Sequence, residues 1–335
     1  MFLRVIPLLC AVFLFNSGTT FANSYHVGYS DLPQPMHGRL WYPIDKTIPE
    51  QPITNARIFT TLYGAKDAPP IDPSRRLPLL LLSHGSGSMV ERLDWIADYF
   101  ARRGWIVAGI NHPGNTLDDN SATGFIRVWK RPKHISHLLD YLLNTSALAH
   151  RIDRSRIAAV GHSAGGTTVL LLAGVRMAKP LFQNPLPFCK PIPAAYDDEG
   201  CAEIKKMNYQ QFSKKEIEGD YRDPRIHAFV AIDPGFAHSF PTQEPPFFAP
   251  IGFVFPSRLK DPAGEIYAQD FLRIFPDAPT WALPHSVHIS FVSACSETGL
   301  QRQIPICAGD EGYREKIHEQ TNHILWGFFK KALKP

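Results

Sequence analysis

The apolar run Arg156-Ile157-Ala158-Ala159-Val160 leads into Gly161-His162-Ser163-Ala164-Gly165-Gly166, and Thr167-Thr168-Val169-Leu170-Leu171-Leu172 follows at once. A strand, a G-x-S-x-G turn and a helix in that order form an elbow that presents the central serine at the end of a sheet. Helix and strand pass closely there, so Gly161 and Gly165 are required to be small. The alternative, a plain glycine-rich connection, does not need an apolar element on both sides. This segment commits the chain to a strand-to-helix architecture and makes Ser163 a candidate nucleophile.

Other segments repeat the alternation. Residues 25–32 and 38–42 are expected to open the fold as two strands, and residues 43–76, rich in Pro and Thr, read as loop. Buried strands are expected at 77–82, a continuous apolar run, and at 105–110, with later strands at 227–232, 251–255 and 280–283. Helices are expected at 89–103, 131–148, 164–178, 267–275 and 311–333. Strands separated by helices imply an α/β fold with a mostly parallel central sheet covered on both faces. Residues 179–225 break the rhythm and read as an insertion near the active-site end of the sheet, either a lid or a surface loop.

The N-terminus has its own character. Arg4 precedes an apolar stretch at residues 5–15, and Thr20-Phe21-Ala22 offers small residues for cleavage. This pattern is that of a secretory signal peptide over residues 1–22, too short to persist as a membrane span, with a single domain over 23–335. Four cysteines then remain, and local pairing as Cys189–Cys201 and Cys295–Cys307 is the simplest arrangement in an oxidising compartment. No C-x-x-C spacing suggests zinc. A formal net charge of +4, spread without a Lys/Arg block, gives no nucleic-acid footprint.

A serine hydroxyl needs an adjacent base, and the base needs an orienting acid, which on this architecture follow in the order Ser, acid, His. His288, in Ser286-Val287-His288-Ile289-Ser290-Phe291, is preferred over His285, which falls almost at a strand end. Asp233 closes the strand 227–232 and is preferred as the acid, with Asp261 as the alternative. Oxyanion donors are expected from the backbone N–H groups of Ala164 and of Ser86, in Ser83-His84-Gly85-Ser86-Gly87. Asn111-His112-Pro113-Gly114-Asn115 reads as a pocket wall or a structural turn. His134 and His137 read as a solvated helix face rather than a metal pair. Phe236, Phe240, Phe247 and Phe248 read as an acyl pocket or as core.

Assembled, these residues resemble the α/β-hydrolase superfamily, and within it the platelet-activating factor acetylhydrolases and dienelactone-hydrolase-like esterases. The resemblance rests on Leu40-Trp41-Tyr42-Pro43, Ser83-His84-Gly85, Asn111-His112-Pro113-Gly114, the elbow, Ala231-Ile232-Asp233 and the run around His288. It implies a secreted or periplasmic serine hydrolase that cleaves carboxylic esters through Ser163, His288 and Asp233, with no metal or organic cofactor. The expected partner is a small-molecule or lipid ester, with no nucleic acid and no stable membrane span. A phospholipid acyl hydrolase, a thioesterase or amidase, and a non-catalytic binding protein on the same scaffold are the other readings. Two features depart from the pattern. Dienelactone hydrolases proper use cysteine where this chain has Ser163, and the insertion lengthens the path from Ser163 to Asp233.

Overall fold

The computed structural model describes residues 25–53, 58–71, 76–182, 211–241, 249–256, 271–307 and 312–334. The expected signal peptide, Cys189, Cys201, Phe247, Phe248 and Asp261 lie outside the described residues.

Among the described residues, ten strands form one sheet: β1 (His26–Asp31), β2 (Gly38–Ile44), β3 (Gln51–Pro52), β4 (Tyr63–Lys66), β5 (Leu77–Ser83), β6 (Ile106–Ile110), β7 (Ile152–His162), β8 (Ala228–Ile232), β9 (Ile251–Pro256) and β10 (Thr280–Leu283). Their spatial order is β10-β9-β8-β7-β5-β6-β2-β1-β4-β3. From β6 to β10 every pairing is parallel, whereas β2 runs antiparallel to both β6 and β1. The parallel strands are buried throughout in β5, β6, β8 and β9, which is why they read as unbroken apolar runs. Register shifts between Leu77 and Leu79, where Pro78 cannot donate to the ladder.

Among the described residues, four longer helices cover the sheet: α1 (Asp94–Ala101), α2 (Arg131–Asn144), α3 (Ala164–Leu172) and α4 (Tyr313–Ala332). Alternate residues of β5 serve opposite faces. Leu79 and Leu81 join the core under α2 and α3, with Ile135, Leu139, Leu142 and Leu170. Leu80 and Leu82 join the core under α1 and α4, with Phe100, Leu325 and Phe329. Two layers of helix on one sheet follow directly from this period of two.

Several boundaries differ from the sequence reading. Residues 43–76 are not all loop, because β3 and β4 extend the sheet beyond β1. Those strands are short and polar at the edge, so periodicity does not reveal them. The expected helix at 89–103 begins as a 3-10 turn at Val90–Leu93 before α1. Helix α3 stops at Leu172 rather than 178. Gly174 adopts φ 96°, its N–H bonds Leu171 O at 3.0 Å, and Val175 N–H bonds Leu170 O at 3.1 Å. This is a Schellman ending, which a left-handed glycine permits.

Of the insertion, residues 179–182 and 211–225 are described. Ile217 is buried, and Phe212 packs edge-on against Trp129 at 5.2 Å, next to the start of α2. The Cys295–Cys307 disulfide is present and closes the segment between the His288 loop and α4.

Candidate active site

Strand β7 delivers Ser163 at φ 57° and ψ −122°, a conformation that costs about 1–3 kcal/mol for a residue with a side chain. The surrounding backbone holds it. Ser163 N–H donates to Ile232 O at 3.0 Å, and Ser163 O accepts from Thr167 N–H at 3.1 Å and Gly235 N–H at 3.2 Å. The close approach foreseen at the two glycines is severe. A Cβ on Gly161 would lie 2.1 Å from Gly165 O, and one on Gly165 would lie 1.9 Å from Ser83 O. Ser163 is left half-buried, at the C-terminal ends of the parallel strands.

Asp233 follows β8 directly. It is buried, its backbone takes φ 39°, and its N–H donates to Val254 O at 2.7 Å. His288 begins a 3-10 turn, His288–Phe291, in the loop after β10. Its Nδ1–H donates to Asp233 Oδ2 at 2.5 Å, while its side chain keeps 40% exposure. Residues 55 apart in sequence are thus joined. A bond through Nδ1 leaves Nε2 as the basic nitrogen. The neighbour of Ser163 supports this loop as well. His162 Nε2–H donates to His288 O at 3.0 Å, and the two rings lie 4.6 Å apart. His285 is exposed, with its ring 6.4 Å from that of Tyr313.

From behind, α4 anchors the His288 loop. His318 Nε2 lies 3.1 Å from Ser290 O and 2.9 Å from Val292 O, and it stacks on Trp95 at 3.9 Å. Arg314 donates to Ser293 O at 2.9 Å and Ile306 O at 2.7 Å. Nothing in the sequence near His318 marked it, since one histidine on a long helix carries no motif.

The loop after β5 faces the serine from the other side. A Cβ on Gly85 would sit 3.3 Å from Ser163 Cβ. Ser86 is half-buried, and its hydroxyl is buried without a hydrogen-bond partner among the described residues. Ala164 is the first residue of α3, where backbone N–H groups have no helical acceptor. Beneath the loop lies a polar layer. His112 N–H donates to His84 Nε2 at 3.0 Å, so His84 carries its proton on Nδ1 and donates to Gly85 O at 2.7 Å. His112 Nε2 meets Ser83 Oγ at 2.9 Å, and its Nδ1 lies 3.2 Å from His134 Nδ1. His112 and Asn115 are therefore supports of this loop rather than a pocket wall, and His134 is a part of it while His137 is exposed. Phe236 and Phe240 are core.

Burial pushes these imidazoles towards neutrality: His84 and His112 lie well below the ordinary range, His134 at about 4 and His318 at about 3. Their folded-state values are depressed, so below about pH 6.5 the unfolded chain takes up protons that the folded chain refuses. Burial of Asp94 has the opposite sign, raising its carboxyl to about 7 and holding a proton in the folded state. Asp98 shifts in the same direction as Asp94, and four histidines outweigh these two aspartates. Acidification from pH 6.5 to 4.5 is therefore expected to lower stability, each net proton contributing about 1.4 kcal/mol per pH unit. Urea unfolding across that range measures it. A flat or rising midpoint would contradict the burial argument.

Comparison with known proteins adds to this geometry. Over 93% of its length the chain superposes on 92% of a ferulic acid esterase from Streptomyces cinnamoneus, with a TM-score of 0.58 at 17% identity. The chain has the α/β-hydrolase fold. No family model matches this hydrolase-fold chain. Shorter stretches resemble cutinases, at 32% identity over 99 residues with est2 of Thermobifida alba and 36% over 97 residues with cutinase 2 of Thermobifida cellulosilytica. Those stretches are 29% and 28% of this chain, and they span only 30% and 34% of the two cutinases. The sheet order accounts for the site. Ser163, Asp233 and the loop carrying His288 leave β7, β8 and β10 at the same edge, where parallel strands converge.

Proposed function

We propose that this chain is an exported serine hydrolase that cleaves carboxylic esters through an acyl-enzyme. The observation that carries the reading is the 2.5 Å bond from His288 Nδ1 to the buried Asp233 carboxylate, beside a serine on a strained elbow. In this reading His288 Nε2 removes the Ser163 proton as Oγ attacks the ester carbonyl. The tetrahedral oxyanion is received by the N–H groups of Ser86 and Ala164. His288 then protonates the departing alcohol, and water repeats the sequence to release the acid. Asp233 holds the imidazole in the tautomer that this requires.

Ester chemistry is favoured over thioester or amide chemistry by the names of the similar proteins, cutinases and a ferulic acid esterase. The acetylhydrolase grouping rests on the sequence motifs alone. Export is supported by the leader-like N-terminus and by the Cys295–Cys307 bridge, since such bonds persist in oxidising compartments.

An active-site fluorophosphonate tests the proposal. The mature wild-type protein is expected to label and to hydrolyse p-nitrophenyl esters, and Ser163→Ala to do neither, with kcat lower by about 10⁶-fold. A folded wild type that does not label would overturn the reading. A panel of acetyl, long-chain acyl, feruloyl, thioester and amide substrates then fixes the acyl and leaving-group preference.

A further inference from the structure

Arg131 is the first residue of α2 and is 2% exposed. Three features make it an expensive residue to place there. Its guanidinium is wholly desolvated, which pulls its pKa down to about 9. It stands at a helix N-terminus, where the dipole disfavours a cation. Among the described residues it forms no salt bridge with any carboxylate. A buried charge without a countercharge ordinarily shifts, neutralises or is replaced.

What it touches is backbone and one amide. Nη1 donates to His84 O at 2.6 Å, and Nη2 donates to Gly85 O at 3.2 Å and to Asn115 Oδ1 at 2.9 Å. Asn115 Oδ1 also accepts from Gly87 N–H at 2.8 Å. Gly85 O is held a second time, by His84 Nδ1–H at 2.7 Å. The turn from His84 to Gly87 is therefore fixed through the carbonyls of His84 and Gly85 and the N–H of Gly87. In a trans peptide the C=O and the next N–H point in opposite directions. Pinning His84 O and Gly85 O on the Arg131 side turns the N–H groups of Gly85 and Ser86 the other way. Gly85 is the residue whose absent Cβ faces Ser163 Cβ at 3.3 Å.

We propose that Arg131 is a positioning residue for the oxyanion site: its guanidinium locks the peptide that aims the Ser86 N–H at the reacting carbonyl, together with the peptide before it, and its uncompensated charge polarises them. The proposal rests on the serine-hydrolase reading. It explains why a cation tolerates this burial. The negative charge it faces is the one that develops on the substrate oxygen during reaction, one peptide away. Such preorganised dipoles act in a site of low dielectric and need no rearrangement as charge forms. His84 and His112 contribute dipoles but no charge, since burial holds both neutral.

Two variants test it, read by kcat, KM and the affinity of an alkylboronic acid, which forms a tetrahedral anion on the serine. Arg131→Gln removes the charge and the fork. It is expected to lower kcat about 10²-fold, the scale of one lost oxyanion donor, and to weaken the boronate by a similar factor while KM stays within about two-fold. Asn115→Asp keeps an acceptor for both Arg131 and Gly87 but places a carboxylate against the guanidinium. It is expected to preserve the melting temperature and still lower kcat about 10-fold. A purely structural arginine would tolerate Asn115→Asp without loss of kcat. That result, or a folded Arg131→Gln with wild-type kcat and boronate affinity, overturns the proposal. If Arg131→Gln does not fold, Asn115→Asp alone decides. Fluorophosphonate labelling of the wild type, run alongside, reports separately on the enzyme reading.

Discussion

Asp233→Asn is expected to lower kcat by about 10⁴-fold while leaving the fold intact. The carboxylate accepts the Nδ1 proton of His288 at 2.5 Å, and an amide can present a donor to that nitrogen instead. The imidazole would then carry its proton on Nε2, facing Ser163, and could not take another. Fold retention follows from the backbone, because Asp233 sits at φ 39°, a region asparagine shares with aspartate. Its main-chain bond to Val254 O is untouched by the exchange. The measurement is kcat on a p-nitrophenyl ester, with circular dichroism and melting temperature as controls. Asp261→Asn is the comparison and is expected to stay close to wild type. The opposite ranking would transfer the acid to Asp261.

The second large effect falls on folding. Gly165→Ala is expected to prevent accumulation of native protein, or to destabilise it beyond the roughly 1–3 kcal/mol typical of an overpacked core. Its added carbon would lie 1.9 Å from Ser83 O and 2.9 Å from His84 O, both backbone atoms that cannot rotate away. Gly161→Ala meets the backbone of Gly165 at 2.1 Å and is expected to behave alike. A clash with a flexible side chain would relax. A clash between β5 and the elbow must push the helix that follows β7 away from the neighbouring central strand. Solubility on expression and urea unfolding give the readout, and a Gly165→Ala protein with a wild-type midpoint would mean that the elbow relaxes more easily than its geometry implies.

Much of the architecture was legible because burial on both faces writes itself into sequence. Residues 77–82, 105–110, 228–232 and 251–255 are apolar runs for that reason, and each became a central strand within one residue or so. Strands β3 and β4 left no such trace, being two and four residues long at an exposed edge. Helix α3 was over-extended because its apolar character continues to Met177, while the stop lies in a single glycine at positive φ.

The elbow at Ser163, the position of Asp233 at a strand end and the histidine after the last strand were all set by local sequence, since each depends on neighbours a few residues away. The contact of His288, already preferred from the sequence, with Asp233, the bracing of its loop by His318 and the grip of a buried Arg131 on the turn before Ser86 were fixed only in three dimensions. Those contacts join residues 55, 28 and 46 apart, and no local pattern encodes which distant polar groups will share a desolvated site. Sequence chose the candidate groups, and packing chose their partners, because hydrogen bonds between remote elements exist only once the sheet has brought the strand ends together.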